Sequence, residues 1–285
     1  MASTFTLQEH DIPVTLPEGL TESQLLSFHP FKTWIKTLTS SLSLQARDPS
    51  HPFHADPYRL RSVSIQSFDL FGSGDSKRLG FLKLNSDVSN AAGEHLPGSV
   101  FLRGPAVAML VILVPDDVGS DGAATDHERH VLLTVQPRVA AGSLAFAEIP
   151  AGMVDEEGQF AGTAANEIRE ELGLDIPASE LRCLSEMALP GPEEGGGAER
   201  ERLPRGVYPS PGGCDEYIPI YVHERRVPRE QLAEWTGKLT GLRDEGEKIT
   251  LKLVRMRDLW REGARDGKTL AALALWEGLR REGKL

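Results

Sequence analysis

Two spacings of apolar residues alternate along the chain. From Gly104 onward, short apolar runs of strand length recur at 106–114, 131–136, 144–149, 181–187, 217–222 and 249–254. Each is bounded by turn-forming or polar residues, as strands are. Between them, Ala161, Ala164, Ala165, Ile168 and Leu172 follow the i, i+3, i+4, i+7 spacing of a helix with one buried face. Gly173 follows as a stop, and Pro177 prevents continuation. A C-terminal helix is predicted over 270–281, bearing Leu273, Leu275, Trp276 and Leu279.

Upstream of Gly104 the pattern differs. Thr21 and Gln24 have the form of a capping box, and Pro30 can open a second helix through Trp34 and Ile35 to about Leu42. Residues 49–57 form a Pro/His-rich connector, followed by strand-like runs at 61–71, 79–84 and 99–103. These spacings predict a small β-rich module with a helical lead-in over 1–103. A second domain over 104–285 is expected to be a mixed sheet packed between helices, an α+β fold. Residues 116–128 and 190–206 read as loops.

Composition narrows the functional classes. The chain has 285 residues and a formal net charge of −11, against a general nucleic-acid binder, which would present a basic face. Two cysteines, Cys183 and Cys214, make no disulfide framework and fit a reducing compartment. Eight histidines without an H-x-x-x-H pair argue against zinc. The longest apolar run, 106–114, is too short to span a bilayer. The first twenty residues lack arginine and contain Glu9 and Asp11, unlike a transit peptide or secretory signal, so a cytoplasmic protein is expected.

The helix at 161–172 also carries Glu167, Glu170 and Glu171. Carboxylates three and four apart meet on one face and repel. Either they form a solvated acidic face, opposite the apolar stripe, or a cation sits on them. Several hard oxygen ligands suit Mg²⁺ or Mn²⁺ better than zinc.

The segment from Gly152 to Leu174 resembles the Nudix box, G-x5-E-x7-R-E-U-x-E-E-x-G-U with U apolar, at Gly152, Glu167, Ile168, Glu170, Glu171, Gly173 and Leu174. Gly158 stands where the pattern has Glu, and Asn166 where it has the arginine that braces the acidic helix. L-R-G-P-A-V-A (102–108), V-L-L-T-V-Q-P-R-V (131–139), E-I-P-A-G-M (148–153), Y-P-S-P-G-G-C-D-E (208–216) and G-L-R-D-E-G-E-K-I (241–249) are similar to one branch of that family, the ADP-sugar diphosphatases.

This resemblance implies a Nudix α/β/α sandwich and Mg²⁺- or Mn²⁺-dependent hydrolysis of ADP-glucose or ADP-ribose. It implies metal ligation by Glu167, Glu171, Glu247 and the carbonyl of Ala151. Glu170 would be a further ligand or would orient water, and Glu245 would be the general base. Arg103 and Arg138 would meet phosphate, with Gly152, Ser210, Gly212, Gly213 and Glu216 lining the substrate pocket. It further implies a homodimer in which the N-terminal module helps form the site. A nucleotide-binding module without hydrolysis and a dinucleotide pyrophosphatase are the competing readings.

Overall fold

The computed structural model describes residues 2–72, 74, 77–119, 122–154, 159–189, 201–242 and 248–285, with the backbone alone at 122–124. The chain divides into two compact units, one built mainly from Met1–Pro105 with Ser210–Glu216, the other from Ala106–Gly191, Arg205–Pro209 and Tyr217–Leu285.

The first unit opens with a hairpin that periodicity does not reveal, β1 (Ser3–Leu7) and β2 (Ile12–Leu16). Then come α1 (Glu22–Ser27), α2 (His29–Arg47), β3 (Arg59–Phe71), β4 (Arg78–Ser89), β5 (His95–Leu96) and β6 (Ser99–Leu102). The capping box forms as the sequence requires: the Thr21 hydroxyl accepts the Gln24 N–H, and the Gln24 side chain accepts the Thr21 N–H. Among the described residues the strands form one sheet in the order β1-β2-β3-β4-β5, with β6 also on β4. Phe28, Phe31 and Ile35 pack with Val14, Val63, Leu82, Leu84 and Leu102.

The second unit comprises β7 (Ala106–Pro115), α3 (Gly122–Glu128), β8 (His130–Arg138), β9 (Ser143–Glu148), β10 (Ala151–Met153), α4 (Phe160–Glu167), β11 (Arg182–Cys183), α5 (Leu184–Ala188), β12 (Ile220–Val227), α6 (Leu232–Trp235), β13 (Leu239–Thr240), β14 (Ile249–Arg255), α7 (Leu259–Glu262) and α8 (Gly267–Arg281). Its mixed sheet runs β11-β12-β7-β8-β14-β13, with β10 on β7 and β9 on β8. The β12–β7 pair is parallel.

Strand β7 explains why its sequence is apolar without alternation. Ala108, Leu110, Ile112 and Val114 face one core with Leu259, Ala272, Trp276 and Leu279. Val107, Met109, Val111 and Leu113 face the other with Ala164, Ile168, Leu172, Leu232 and Trp235. A strand covered on both faces needs apolar residues at every position, and each large side chain so buried contributes about 1.5–3 kcal/mol. The result is a helix–sheet–helix sandwich of the α+β class.

Two expectations are corrected. Residues 181–187 are not one strand: β11 is two residues long and the chain then turns into α5. Leu184 and Met187 reach the core at helical spacing, and the Ser185 hydroxyl accepts the Ile220 N–H at 3.0 Å, docking the helix on the sheet. Within 116–128, expected to be loop, the backbone of Gly122–Glu128 is helical.

Candidate functional site

The acidic helix is not a uniform α-helix. After α4, residues Ile168–Leu172 form a π-helical turn that ends at Gly173, in the left-handed conformation at φ +67°. A π turn holds more residues than an α turn, so the carboxylates do not share one exposed face. Ile168 and Leu172 are fully buried, and Glu171 between them is only 1% exposed. This overturns the expectation that Glu171 lies on the solvent side. Glu170 remains partly exposed, with Arg169 near it at 4.0 Å.

Burying an ionised carboxylate demands hydrogen bonds. Glu171 accepts the Ala151 N–H at 3.2 Å and the Gln136 side-chain N–H at 3.4 Å. Glu167 lies against β10 so closely that a Cβ at Gly152 would overlap its carboxylate. Only a glycine lets that acid approach the strand backbone. Ala151, Gly152, Glu167 and Glu171 therefore converge at one place, from a strand and a helix end. Gln136 was not singled out in the sequence, although a polar residue amid the apolar strand Val131–Gln136 was a readable signal.

Just upstream a second acid is buried. Glu148, 2% exposed, accepts from Arg138 Nε at 2.6 Å and Lys268 Nζ at 2.7 Å. Lys268 also reaches Asp266 at 2.9 Å. Asp266 caps α8 by accepting the Lys268 and Thr269 N–H groups. Burial alone would depress the Lys268 ammonium, but Glu148 and Asp266 outweigh it and hold the pKa above the ordinary lysine value. Arg138, expected to meet phosphate, is thus engaged by Glu148.

The remaining expected substrate residues are gathered in the first unit. Phe101 N–H donates to Gly213 O at 2.8 Å, and Asp215 N–H to Phe101 O at 3.3 Å, fastening the S-P-G-G-C-D-E turn to β6. Ser210 O accepts the N–H groups of Gly213 and Cys214, closing the turn. Arg103 pairs with Glu216 at 2.8 Å. Its Nε is buried without a hydrogen-bond partner among the described residues. Asp215 was missed in the sequence: its carboxylate accepts the N–H groups of Arg103 at 2.8 Å and Gly104 at 3.2 Å. Burial raises its pKa above the ordinary aspartate value despite those donors. Gly104, at φ +82°, also packs on Pro30, where a Cβ would stand 2.8 Å from the proline ring.

A family profile for the NUDIX domain matches residues 118–273. The chain is 37% identical over 255 residues, 89% of its length and 71% of the relative's, to Nudix hydrolase 14, chloroplastic, of Arabidopsis thaliana. The chain belongs to the Nudix family. A solved structure described as an ADP compounds hydrolase is more loosely similar, with a TM-score of 0.43 and 17% identity over 80% of this chain and 99% of that one.

In this Nudix hydrolase the donors fit a hard divalent cation. Two carboxylates, Glu167 and Glu171, meet at Ala151 and Gly152, where the missing Cβ leaves room for the Glu167 carboxylate, and such hard oxygen donors suit that kind of ion. Among the described residues no three His, Cys, Asp or Glu side chains close a metal site on their own. Glu245, Glu247 and Gly158 lie outside the described residues. Asn166 is exposed and its side-chain oxygen accepts from Arg169 at 3.4 Å. No helix among the described residues is long and apolar enough to cross a membrane.

Proposed function

We propose that this Nudix hydrolase cleaves the diphosphate bond of ADP-sugars, ADP-glucose or ADP-ribose, releasing AMP and a sugar phosphate. The observation that carries the reading is the convergence of Glu167 and Glu171 on Ala151 and Gly152. Glu167, Glu171, the Ala151 carbonyl and Glu247 would hold Mg²⁺ or Mn²⁺, with Glu170 at the margin. When bound, such a cation neutralises diphosphate charge and acidifies a coordinated water.

The chain's own groups supply the rest. Glu245 accepts the proton of the attacking water. Arg103, with a buried Nε donor uncommitted among the described residues, and Arg138 donate to phosphate oxygens as planar forks. Gly152, Ser210, Gly212, Gly213 and Glu216 line the sugar-diphosphate pocket. The first unit serves as a dimerisation module, and the working enzyme is a homodimer. The ADP-sugar class is supported by the phrases at 102–108, 131–139, 148–153, 208–216 and 241–249.

A substrate panel tests this. With Mg²⁺, AMP should appear from ADP-glucose or ADP-ribose faster than from dinucleotides, and EDTA should stop it. Glu171→Gln should lower turnover by at least about 100-fold, the upper end of what even an indirect metal partner commands. Tight ADP-sugar binding without AMP release would mark a binding module instead, and preference for dinucleotides would move the substrate class.

A further inference from the structure

The start of α8 lies outside the phrases that carried the family resemblance, yet it holds the backbone that leads into the candidate site. Ile149 N–H donates to the Thr269 hydroxyl at 3.0 Å, and that hydroxyl donates to Asp266 at 2.7 Å. Thr269 is fully buried. Next to it, Lys268 grips Glu148, the residue before Ile149. The following residues are fixed from other directions: Pro150 O accepts the Met109 N–H at 2.9 Å, and Ala151 N–H donates to Glu171 at 3.2 Å. Four consecutive residues, 148 to 151, are thereby pinned one after another.

We propose that Asp266, Lys268 and Thr269 are positioning residues for the metal site. They set the path of Glu148–Ala151 so that the Ala151 N–H meets Glu171 and the adjoining backbone stands beside Glu167. The inference rests on the metal site of the proposed function. Its physical basis is that groups which orient metal ligands command a large share of affinity without touching the ion. Thr269 is the critical member, because its hydroxyl both accepts from Ile149, in the link between β9 and β10, and donates to the helix cap. A methyl of the same size does neither.

The experiment is a titration of the full-length protein with Mn²⁺, following the free ion by electron paramagnetic resonance, with no substrate present. The parent should bind, and Glu171→Gln should bind far more weakly. Thr269→Val is expected to weaken Mn²⁺ by about tenfold or more, while Thr269→Ser, which keeps the hydroxyl, should return affinity to near the parent's. A folded Thr269→Val protein that binds Mn²⁺ as tightly as the parent would overturn the positioning role and leave the metal site standing. A parent that binds no Mn²⁺, or a Glu171→Gln protein that binds as tightly as the parent, overturns the metal site and this proposal with it. Should Thr269→Val not fold, Asp266→Asn retains an N-cap acceptor. It should weaken Mn²⁺ several-fold, and unchanged affinity there counts equally against the idea.

Discussion

On one side of Pro150, Glu148 is buried against two cations, Arg138 and Lys268; on the other, Ala151 gives its N–H to Glu171, which also accepts from the Gln136 carboxamide. Both acids are almost fully enclosed, at 2% and 1% exposed. An acid matched by ammonium and guanidinium has its charge neutralised in place and serves the fold. Glu171 accepts amide and carboxamide hydrogen bonds, and under the proposed function it is a cation ligand. The difference teaches that burial alone does not sort structural from functional acids. The separation of the two roles is a proposal that the variants below test.

Removing the lysine should break this contrast most. Lys268→Met takes one of its two cations from Glu148 and the ammonium from Asp266, and breaking a buried pair from one side costs about 3–5 kcal/mol, readable as a fall in the urea midpoint. Its pH dependence follows from the raised pKa. The stabilisation is complete below the ordinary lysine value of 10.5 and is lost as pH rises through the higher folded value. The parent's stability should therefore fall in strongly alkaline buffer more than that of Lys268→Met.

Glu148→Gln is the next largest change. It removes the charge from two ionic hydrogen bonds but leaves Lys268 with Asp266, so a loss of about 1.5–3 kcal/mol is expected. Glu171→Gln sharpens the comparison, because glutamine keeps an oxygen for the Ala151 N–H. Its unfolding free energy should change by less than about 1 kcal/mol while catalysis collapses. If chemical denaturation showed Glu171→Gln less stable than Glu148→Gln, the division of roles would be reversed.

A third buried acid, in the first unit, also serves backbone amides. Asp215→Ala leaves the N–H groups of Arg103 and Gly104 without their acceptor and should cost about 1–3 kcal/mol. Asp215→Asn keeps one oxygen and removes a charge that burial disfavours, so near neutrality it should cost less than the alanine variant. Equal losses in thermal unfolding would show that the charge itself holds the turn.

The sequence by itself determined the order of most elements. The unbroken apolar run of β7 required a strand covered on both faces, the capping box marked α1, and the glycine at 173 marked where the acidic helix stops. It also supplied the box and phrases that pointed to the Nudix family. These signals are local, read within a few residues. The tertiary structure decided what depends on partners far along the chain. Leu184–Ala188 became helix because Ser185 meets Ile220, and the β1–β2 hairpin was fixed through sheet pairing with β3. Glu171 turned inward through a π turn, towards donors 20 and 35 residues away. The grip of α8 on Ile149 spans 120 residues. A hydrogen bond over such a separation leaves no period in the sequence, because its two ends become neighbours only when the core closes.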